Sequence, residues 1–381
     1  VSVGVLPTAA VAFLTRDGGF DAGVMISASH NPYEDNGIKV FSRDGYKLPD
    51  ELESRIESIV LDGGGDPEPA SEAAAEGPGG AEARDLVDRY RRHLVAAAGG
   101  TRLEGETIVL DCANGAASGV APGVFRELGA RVHAISAAPD GRNINEGCGS
   151  LHPEALCRAV VERGARLGFA FDGDADRCLM SDDRGDLCDG DLIMYRAALM
   201  LRDSGRLGPD LVVGTVMSNL WLERSLSAAG ITLVRTPVGD KYVLEEMLRR
   251  GARVGGEQSG HVIFMDHATT GDGLLTAVMM ASAAVRAGVL PSRWRAEVAP
   301  CPQVLLNVRV SARPDLESHP VIGPAVAAAR ERLGGDGRIL LRYSGTEPLA
   351  RVMVEAVDGD LTGSLAREIA GLIEKEIGEK P

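Results

Sequence analysis

LGFAFDGDADRCLMSDD, running from Leu167 to Asp183, is the stretch that decides the fold. Leu167–Phe171 is an unbroken apolar run of strand length, and it ends abruptly in acids. Upstream, Thr107–Asp111 (TIVLD) reads as another strand, followed by a Gly-rich loop and a helix to about Leu128 closed by Gly129. Val132–Ser136 is the next strand. Pro153–Arg163 is a helix that starts with Pro and stops at Gly164. Strand, helix, strand, helix, strand predicts a parallel sheet with crossover helices. Downstream the grammar repeats: strand Leu211–Val216, helix Leu220–Ala229, strand Ile231–Arg235, helix Lys241–Arg249 and strand Ala252–Gly255.

The ends differ. The first segment reads as a strand Val3–Leu6, a helix around Ala9–Thr15, a short buried strand Gly23–Ile26 and an amphipathic helix over 50–61. Asp62–Arg84 contains Gly, Pro, Ala and Glu but no large apolar residue, so it is expected to be a solvated linker. The last segment reads as strand Gln303–Val310, a helix near Pro320–Arg332, strands Arg338–Tyr343 and Ala350–Ala356 on a tight loop, and a final helix. Adjacent strands on a short loop predict an antiparallel α+β domain. The expected domains are 1–84, 85–184, 185–295 and 296–381.

The chain has 381 residues, 44% hydrophobic and 25% charged, which excludes a disordered chain or a coiled coil. Only 4% are aromatic, so the core must come from aliphatic side chains. The net charge of −15 disfavours nucleic acid or an anionic membrane as a partner. An anionic substrate would then need local arginine and lysine clusters. No apolar run approaches the roughly 18 residues of a membrane span. The six cysteines form no C-x-x-C pair and are read as reduced thiols in a cytoplasmic protein.

Four stretches carry chemistry. In ISASHNPYEDNGIKVF (Ile26–Phe41), Pro32 holds a polar loop out of helix, so Ser29 can act as a nucleophile or carry a phosphoryl group. Lys39 can neutralise a phosphate or move a proton. The alternative is a plain turn between strands. In FDGDADR, Asp172, Asp174 and Asp176 repel one another unless a cation joins them, and hard oxygen ligands suit Mg²⁺ or Ca²⁺. An EF-hand loop is excluded because its sixth position is Arg177 and its twelfth Asp183. A solvated acidic turn is the remaining alternative. Arg177, beside the acids, suggests that the site also holds an anion.

GGEQSGH (Gly255–His261) lies at the carboxyl end of a strand, where open α/β sheets place ligand loops. Glu257 and Ser259 can bind neighbouring sugar hydroxyls, and His261 can carry a proton. A tight turn with a core histidine is the plain reading. In LRYSGTEPLARVMVE (Leu341–Glu355), the turn Ser344-Gly345-Thr346 can form a phosphate nest bracketed by Arg342 and Arg351. A structural hairpin turn is its alternative. No G-x-S-x-G elbow or G-x-x-x-x-G-K-[ST] loop occurs, which argues against a serine-hydrolase triad and nucleotide hydrolysis.

At these residues the sequence resembles the α-D-phosphohexomutase superfamily, most nearly its bacterial phosphoglucosamine mutase branch. ASHNP (Ala28–Pro32), DGDADR (Asp172–Arg177), GEQSGH (Gly256–His261) and RYSGTEP (Arg342–Pro348) occur in family order, and Gln258 is typical of that branch. The resemblance implies an α/β fold: three related α/β domains with mixed sheets plus a C-terminal α+β domain around a central cleft. It implies a phosphoserine at Ser29 and one Mg²⁺ held by Asp172, Asp174, Asp176 and a phosphoserine oxygen. Catalytic roles fall on Ser29, Lys39, His261 and Arg177, sugar contacts on Glu257 and Ser259, and phosphate contacts on Arg342, Ser344, Gly345, Thr346 and Arg351.

The implied reaction is that of an isomerase. It interconverts glucosamine 6-phosphate and glucosamine 1-phosphate through a hexosamine 1,6-bisphosphate, on the way to UDP-N-acetylglucosamine and peptidoglycan precursors. The phosphorylated hexosamine is the implied partner, and a monomer or homodimer the expected assembly. Family members begin further upstream, with a GTDGIRG-like loop, so an N-terminally incomplete first domain is expected. Tyr343 replaces a usual Pro, Pro237 stands where many relatives carry Lys, and Ala175 replaces a Gly, which is tolerable if its φ is negative. A phosphomannomutase/phosphoglucomutase, an inactive sugar-phosphate-binding remnant and a calcium-binding module are the rival readings.

Overall fold

A computed structural model describes residues 1–61, 80–344 and 347–379. The chain divides into two compact units, Val1–Thr215 with Ile231–Glu297, and Val216–Gly230 with Val298–Pro381. The first unit contains three sheets. The strands Arg131–Ile135, Thr107–Asp111 and Leu167–Phe171 lie side by side in parallel, as the alternation predicts. Cys178–Ser181 and Leu187–Cys188 then extend the sheet antiparallel, so it is mixed. All five residues of Leu167–Phe171 are buried, as expected for a strand covered on both faces.

A second sheet orders Val262–Phe264, Val254–Gly256, Leu211–Thr215 and Thr232–Thr236. Its last three strands are parallel and Val262–Phe264 is antiparallel. Its crossover helix Asp240–Arg250 buries Val243 and Met247 and ends at Gly251 in the left-handed conformation. The helix Gly273–Ala287, capped by Asp272, was not legible as a helix, because GLLTAVMMASAAVRA is apolar on every side and shows no amphipathic period. The helix Gly190–Asp203 and the strand Gly37–Ser42 were also not anticipated.

The first segment departs from expectation. Val3–Leu6 forms no strand: residues 1–7 are irregular, and Pro7 cannot donate to a ladder. Gly23–Ile26 lies within the strand Ala22–Ser27, which is not buried as predicted; it alternates, with Val24 and Ile26 exposed. Among the described residues this strand pairs with Gly37–Ser42 alone, and the helix Thr8–Asp17 packs on one of its faces. Helix and strand approach so closely that a Cβ on Gly23 would meet Thr15 Oγ1 at 2.0 Å. The amphipathic helix forms as Asp50–Leu61, yet it buries no residue. Of the expected linker, residues 62–79 lie outside the described residues. The helix Ala81–Ala97 begins inside it and runs through the boundary expected at 84, anchored by the buried Leu86, Tyr90 and Leu94. No helix among the described residues is long and apolar enough to cross a membrane.

The second unit is α+β, as expected. Leu349–Ala356 is the central strand between Gln303–Arg309 and Gly337–Tyr343, all antiparallel. Ile322, Val326, Ile369 and Ile373 of two helices pack on Val352 and Val354 of the sheet. Within this unit, Arg338 bonds the fully buried Glu355 and the carbonyls of Val216 and Ser218, which ties the helix Leu220–Ala228 to the sheet.

Candidate active site

The buried strand Leu167–Phe171 delivers Asp172, Asp174 and Asp176 to its carboxyl end, where all three are buried. Each has one oxygen with a partner. Asp172 Oδ1 accepts from the Arg177 amide at 3.1 Å. Asp174 Oδ2 accepts from Thr8 Oγ1 and Lys39 Nζ, both at 2.6 Å. Asp176 Oδ2 accepts from Lys39 Nζ at 3.0 Å. The other three oxygens, Asp172 Oδ2, Asp174 Oδ1 and Asp176 Oδ1, are buried without a partner among the described residues. The three residues can each offer one oxygen within 4.8 Å of the others.

Orphaned buried carboxylate oxygens are costly, by several kcal/mol for a charge. Three buried carboxylates that can each offer an oxygen within 4.8 Å of the others fit a hard divalent cation. Burial and the charges of Asp176 and Asp174 push Asp172 well above the ordinary carboxylate range. Burial alone would also raise Asp176, but His261 and Lys39 hold it low. Burial opposes the charge on Lys39, yet Asp176 and Asp174 overcome it and keep the side chain an ammonium.

Ser29 follows the strand Ala22–Ser27 and has φ 51, the left-handed region that a residue with a Cβ enters at about 1–2 kcal/mol. Its amide donates to Ser27 Oγ at 2.8 Å, and its Oγ lies 3.4 Å from His30 Nδ1. Burial and the nearby Arg177 charge lower the pKa of His30. The Ser29 carbonyl accepts from the Gly173 amide at 3.1 Å, so the serine loop rests directly on the aspartate loop. A Cβ on Gly173 would meet that carbonyl at 2.5 Å, which reserves the position for glycine.

Ala175 lies in the left-handed region at φ 56, contrary to the negative φ that would have made this replacement harmless. Ala175→Gly is therefore expected to stabilise the chain by about 0.5–1 kcal/mol, the relief of strain exceeding the extra unfolded-state entropy. A urea midpoint unchanged or lowered would contradict this.

The GEQSGH loop joins this centre through its own backbone. Cys178 N donates to Gly260 O at 2.9 Å, and the start of the helix Gly273–Ala287 joins separately, Gly273 N donating to Ala175 O at 3.0 Å. Glu257 is half-buried, and its Oε1 accepts from Gly239 N at 3.1 Å. Ser259 is exposed. Gln258 turns away to donate to Asp189 Oδ2 at 3.1 Å. His261 is buried with both ring nitrogens lacking a hydrogen bond, and its Nε2 is 3.7 Å from Asp240 Oδ2. Asp240 also pairs with Lys47. Thr8, Lys47 and Asp240 were not singled out in the sequence, because none sits in a motif and each arrives through a long-range contact.

Behind His261, Asp272 is buried and accepts from Tyr90 Oη at 3.0 Å and from Leu275 N at 2.9 Å. Burial lifts its pKa from 3.8 to about 6. Protonated Asp272 thus supports the fold fully below about pH 4, and that support is lost as pH rises from there through about 6, a loss of about 3 kcal/mol. In Asp272→Asn this fall between roughly pH 4 and 7 should vanish from the stability profile; an unchanged profile would assign the fall to other groups.

In the second unit, Arg342 and Arg351 are direct cross-strand partners. Like charges placed opposite each other are destabilising unless an anion joins them. Burial and the Arg351 charge lower the pKa of Arg342. Ser344 is buried, with its Oγ 3.5 Å from Arg351 Nη2. Arg351 Nη2 also lies 3.4 Å from Glu347 Oε2, and its Nε is buried without a partner among the described residues. The structure brings Arg342, Ser344 and Arg351 together; Gly345 and Thr346 lie outside the described residues.

Four family models match in order: the phosphoglucomutase/phosphomannomutase alpha/beta/alpha domains I, II and III at residues 1–64, 88–185 and 189–300, and the C-terminal domain at 305–372. A phosphoglucosamine mutase of Moorella thermoacetica is 49% identical over 98% of this chain and 84% of its own length. That of Rhodococcus opacus is 51% identical over 98% and 83%. An Aspergillus fumigatus N-acetylphosphoglucosamine mutase, solved with GlcNAc-6P and magnesium, superposes with a TM-score of 0.72 at 20% identity, covering 97% of this chain and 92% of that one. With half of its residues shared over nearly its whole length, with four domain models matched in sequence, and with an aspartate trio set against a serine loop, the chain belongs to the phosphohexomutase family, among its phosphoglucosamine mutases.

Proposed function

We propose that this chain interconverts glucosamine 6-phosphate and glucosamine 1-phosphate, with Ser29 as the phosphoryl carrier. The observation that carries the reading is the Ser29 carbonyl resting on Gly173, which sets the serine loop against three aspartates with partnerless oxygens. Asp172, Asp174, Asp176 and an oxygen on Ser29 would hold one Mg²⁺, a reading supported by the clustered carboxylates and their partnerless oxygens. Bound there, the ion supplies positive charge that offsets the phosphoserine dianion.

Phosphoryl transfer needs positioning and charge neutralisation more than covalent chemistry. In the first half, the Ser29 Oγ–P bond breaks as the sugar O1–P bond forms, and the O1 proton leaves to a base. In the second, the resulting 1,6-bisphosphate returns its 6-phosphoryl group to Ser29 Oγ, and O6 takes up a proton. Lys39, kept an ammonium by its carboxylate partners, neutralises phosphate rather than accepting protons. His261, with two uncommitted ring nitrogens, is the proton carrier. Arg177 adds positive charge beside the acids. Glu257 and Ser259 contact the sugar hydroxyls, and Arg342, Ser344, Gly345, Thr346 and Arg351 bind the phosphate that does not react. The division of labour follows the segments expected at 1–84, 85–184, 185–295 and 296–381, with the helix Ala81–Ala97 spanning the first boundary.

The test is turnover of glucosamine 6-phosphate with Mg²⁺ and a catalytic amount of glucose 1,6-bisphosphate, together with intact-mass measurement of phosphate at Ser29. Turnover with one phosphate at Ser29 is expected. Faster turnover of mannose or glucose phosphates would move the chain to the neutral-sugar branch, and no phosphate at Ser29 after incubation would refute the mechanism.

A further inference from the structure

The conformation of Ser29 is unusual for a residue with a side chain, and something must hold it. Among the described residues, one side chain is hydrogen-bonded to the carbonyls of this turn. Asn145 Nδ2 donates to Ser29 O at 2.9 Å and to Asn31 O at 2.8 Å. The turn itself is closed by Asn31 N donating to Ala28 O at 2.9 Å, so the two carbonyls flank its centre. Asn145 is nearly buried and has φ 60, a second left-handed residue braced against the first. Its own amide donates to Ala113 O at 2.9 Å. Asp111, at the end of the buried strand Thr107–Asp111, fixes that loop by accepting from Ala113 N at 3.0 Å and Gly149 N at 3.1 Å. The brace therefore runs from the central sheet to the serine turn across more than a hundred residues of sequence.

We propose that Asn145 is a positioning residue for phosphoryl transfer, whose carboxamide locks the Ala28–Asn31 turn so that Ser29 presents its Oγ in one fixed direction. The chemistry of the side chain fits the task. Two N–H bonds on one nitrogen serve two carbonyls at once. A carboxylate of the same shape has no donor and would face both carbonyls with lone pairs, and Gln is longer by one methylene. Gly173 supplies the other hydrogen bond to Ser29 O, but it is backbone and does not reach Asn31. Without Asn145 the turn keeps its place on the aspartate loop and loses the restraint that opposes relaxation of the Ser29 backbone.

This inference rests on Ser29 being the phosphoryl carrier. The variants are Asn145→Asp and Asn145→Ala in the full chain. Both are expected to lower kcat by on the order of 10–100-fold, the range a small misplacement of a reacting atom produces. KM for glucosamine 6-phosphate should stay within about twofold, because Asn145 bonds no residue assigned to substrate. Loading of Ser29 from glucose 1,6-bisphosphate, followed by intact mass against time, should slow by the same factor as kcat. A folded variant that loads and turns over at the wild-type rate overturns the proposal, as does a rise in KM with kcat intact. If neither variant folds, Asn145 is a general strut and the proposal also fails. Wild-type chain that never acquires phosphate at Ser29 defeats the underlying reading itself, an outcome distinct from wild type and variants loading equally.

Discussion

Ser29→Ala removes turnover, by at least on the order of 10³-fold, while leaving the chain as stable as before. The stability half follows from geometry. Ser29 Oγ makes only a long 3.4 Å approach to His30, and Ala keeps the same backbone strain at φ 51. The hydrogen bonds that hold the turn use the carbonyl and amide of residue 29, which survive the change. Ser29→Gly removes the same oxygen and also the strain, so it should be inactive yet more stable than wild type by about 0.5–1 kcal/mol. Inactive variants ordered Gly above Ala in urea midpoint would show a strained, function-bearing residue. Residual activity of Ser29→Ala within tenfold of wild type, roughly 1.4 kcal/mol of transition-state energy, would assign the phosphoryl group to another side chain.

Asp172→Asn is expected to change stability in opposite directions with and without metal. In the metal-free chain, Asp172 is buried beside two further carboxylates, and burial first, then Asp176 and Asp174, disfavour its charge. Its folded-state pKa is raised, so its contribution favours the fold at low pH and is lost as pH rises. Asn keeps the acceptor for the Arg177 amide and removes the charge, so the metal-free variant should be the more stable one at neutral pH. Saturating Mg²⁺ should raise wild-type stability by about 2.7 kcal/mol at a hundredfold excess over Kd. The variant should show little of that rise and lose turnover by on the order of 10²-fold or more. Thermal melts with and without Mg²⁺ check both signs. An Asp172→Asn chain that Mg²⁺ stabilises as strongly as wild type would place the ion elsewhere.

The site was legible wherever its chemistry is written in consecutive residues. Three carboxylates in five positions after an apolar strand, and Ser344 between two arginines, were each read as one cluster, and the structure gathers both. What escaped were residues whose meaning is a long-range contact. Thr8 reaches Asp174 across 166 residues, and Asn145 reaches Ser29 across 116. Each is an unremarkable Thr or Asn in isolation. The positive φ of Ala175 also escaped, since φ depends on where the chain must go next.

The same division runs through the fold. Alternating apolar runs and capped helices are local, so the parallel core of Thr107–Asp111, Arg131–Ile135 and Leu167–Phe171 could be read from its residues. Periodicity reports which face of an element wants burial, not whether anything arrives to cover it. Among the described residues, Val24, Ile26 and the stripe of Asp50–Leu61 carry a core pattern and stand exposed, while the uniformly apolar Gly273–Ala287 carries no pattern and lies deep in the interior. Residue chemistry along the chain named the reactive groups. Packing between distant segments chose their partners, their charge and the conformation in which Ser29 is held, because hydrogen bonds and desolvation depend on neighbours in space rather than in order.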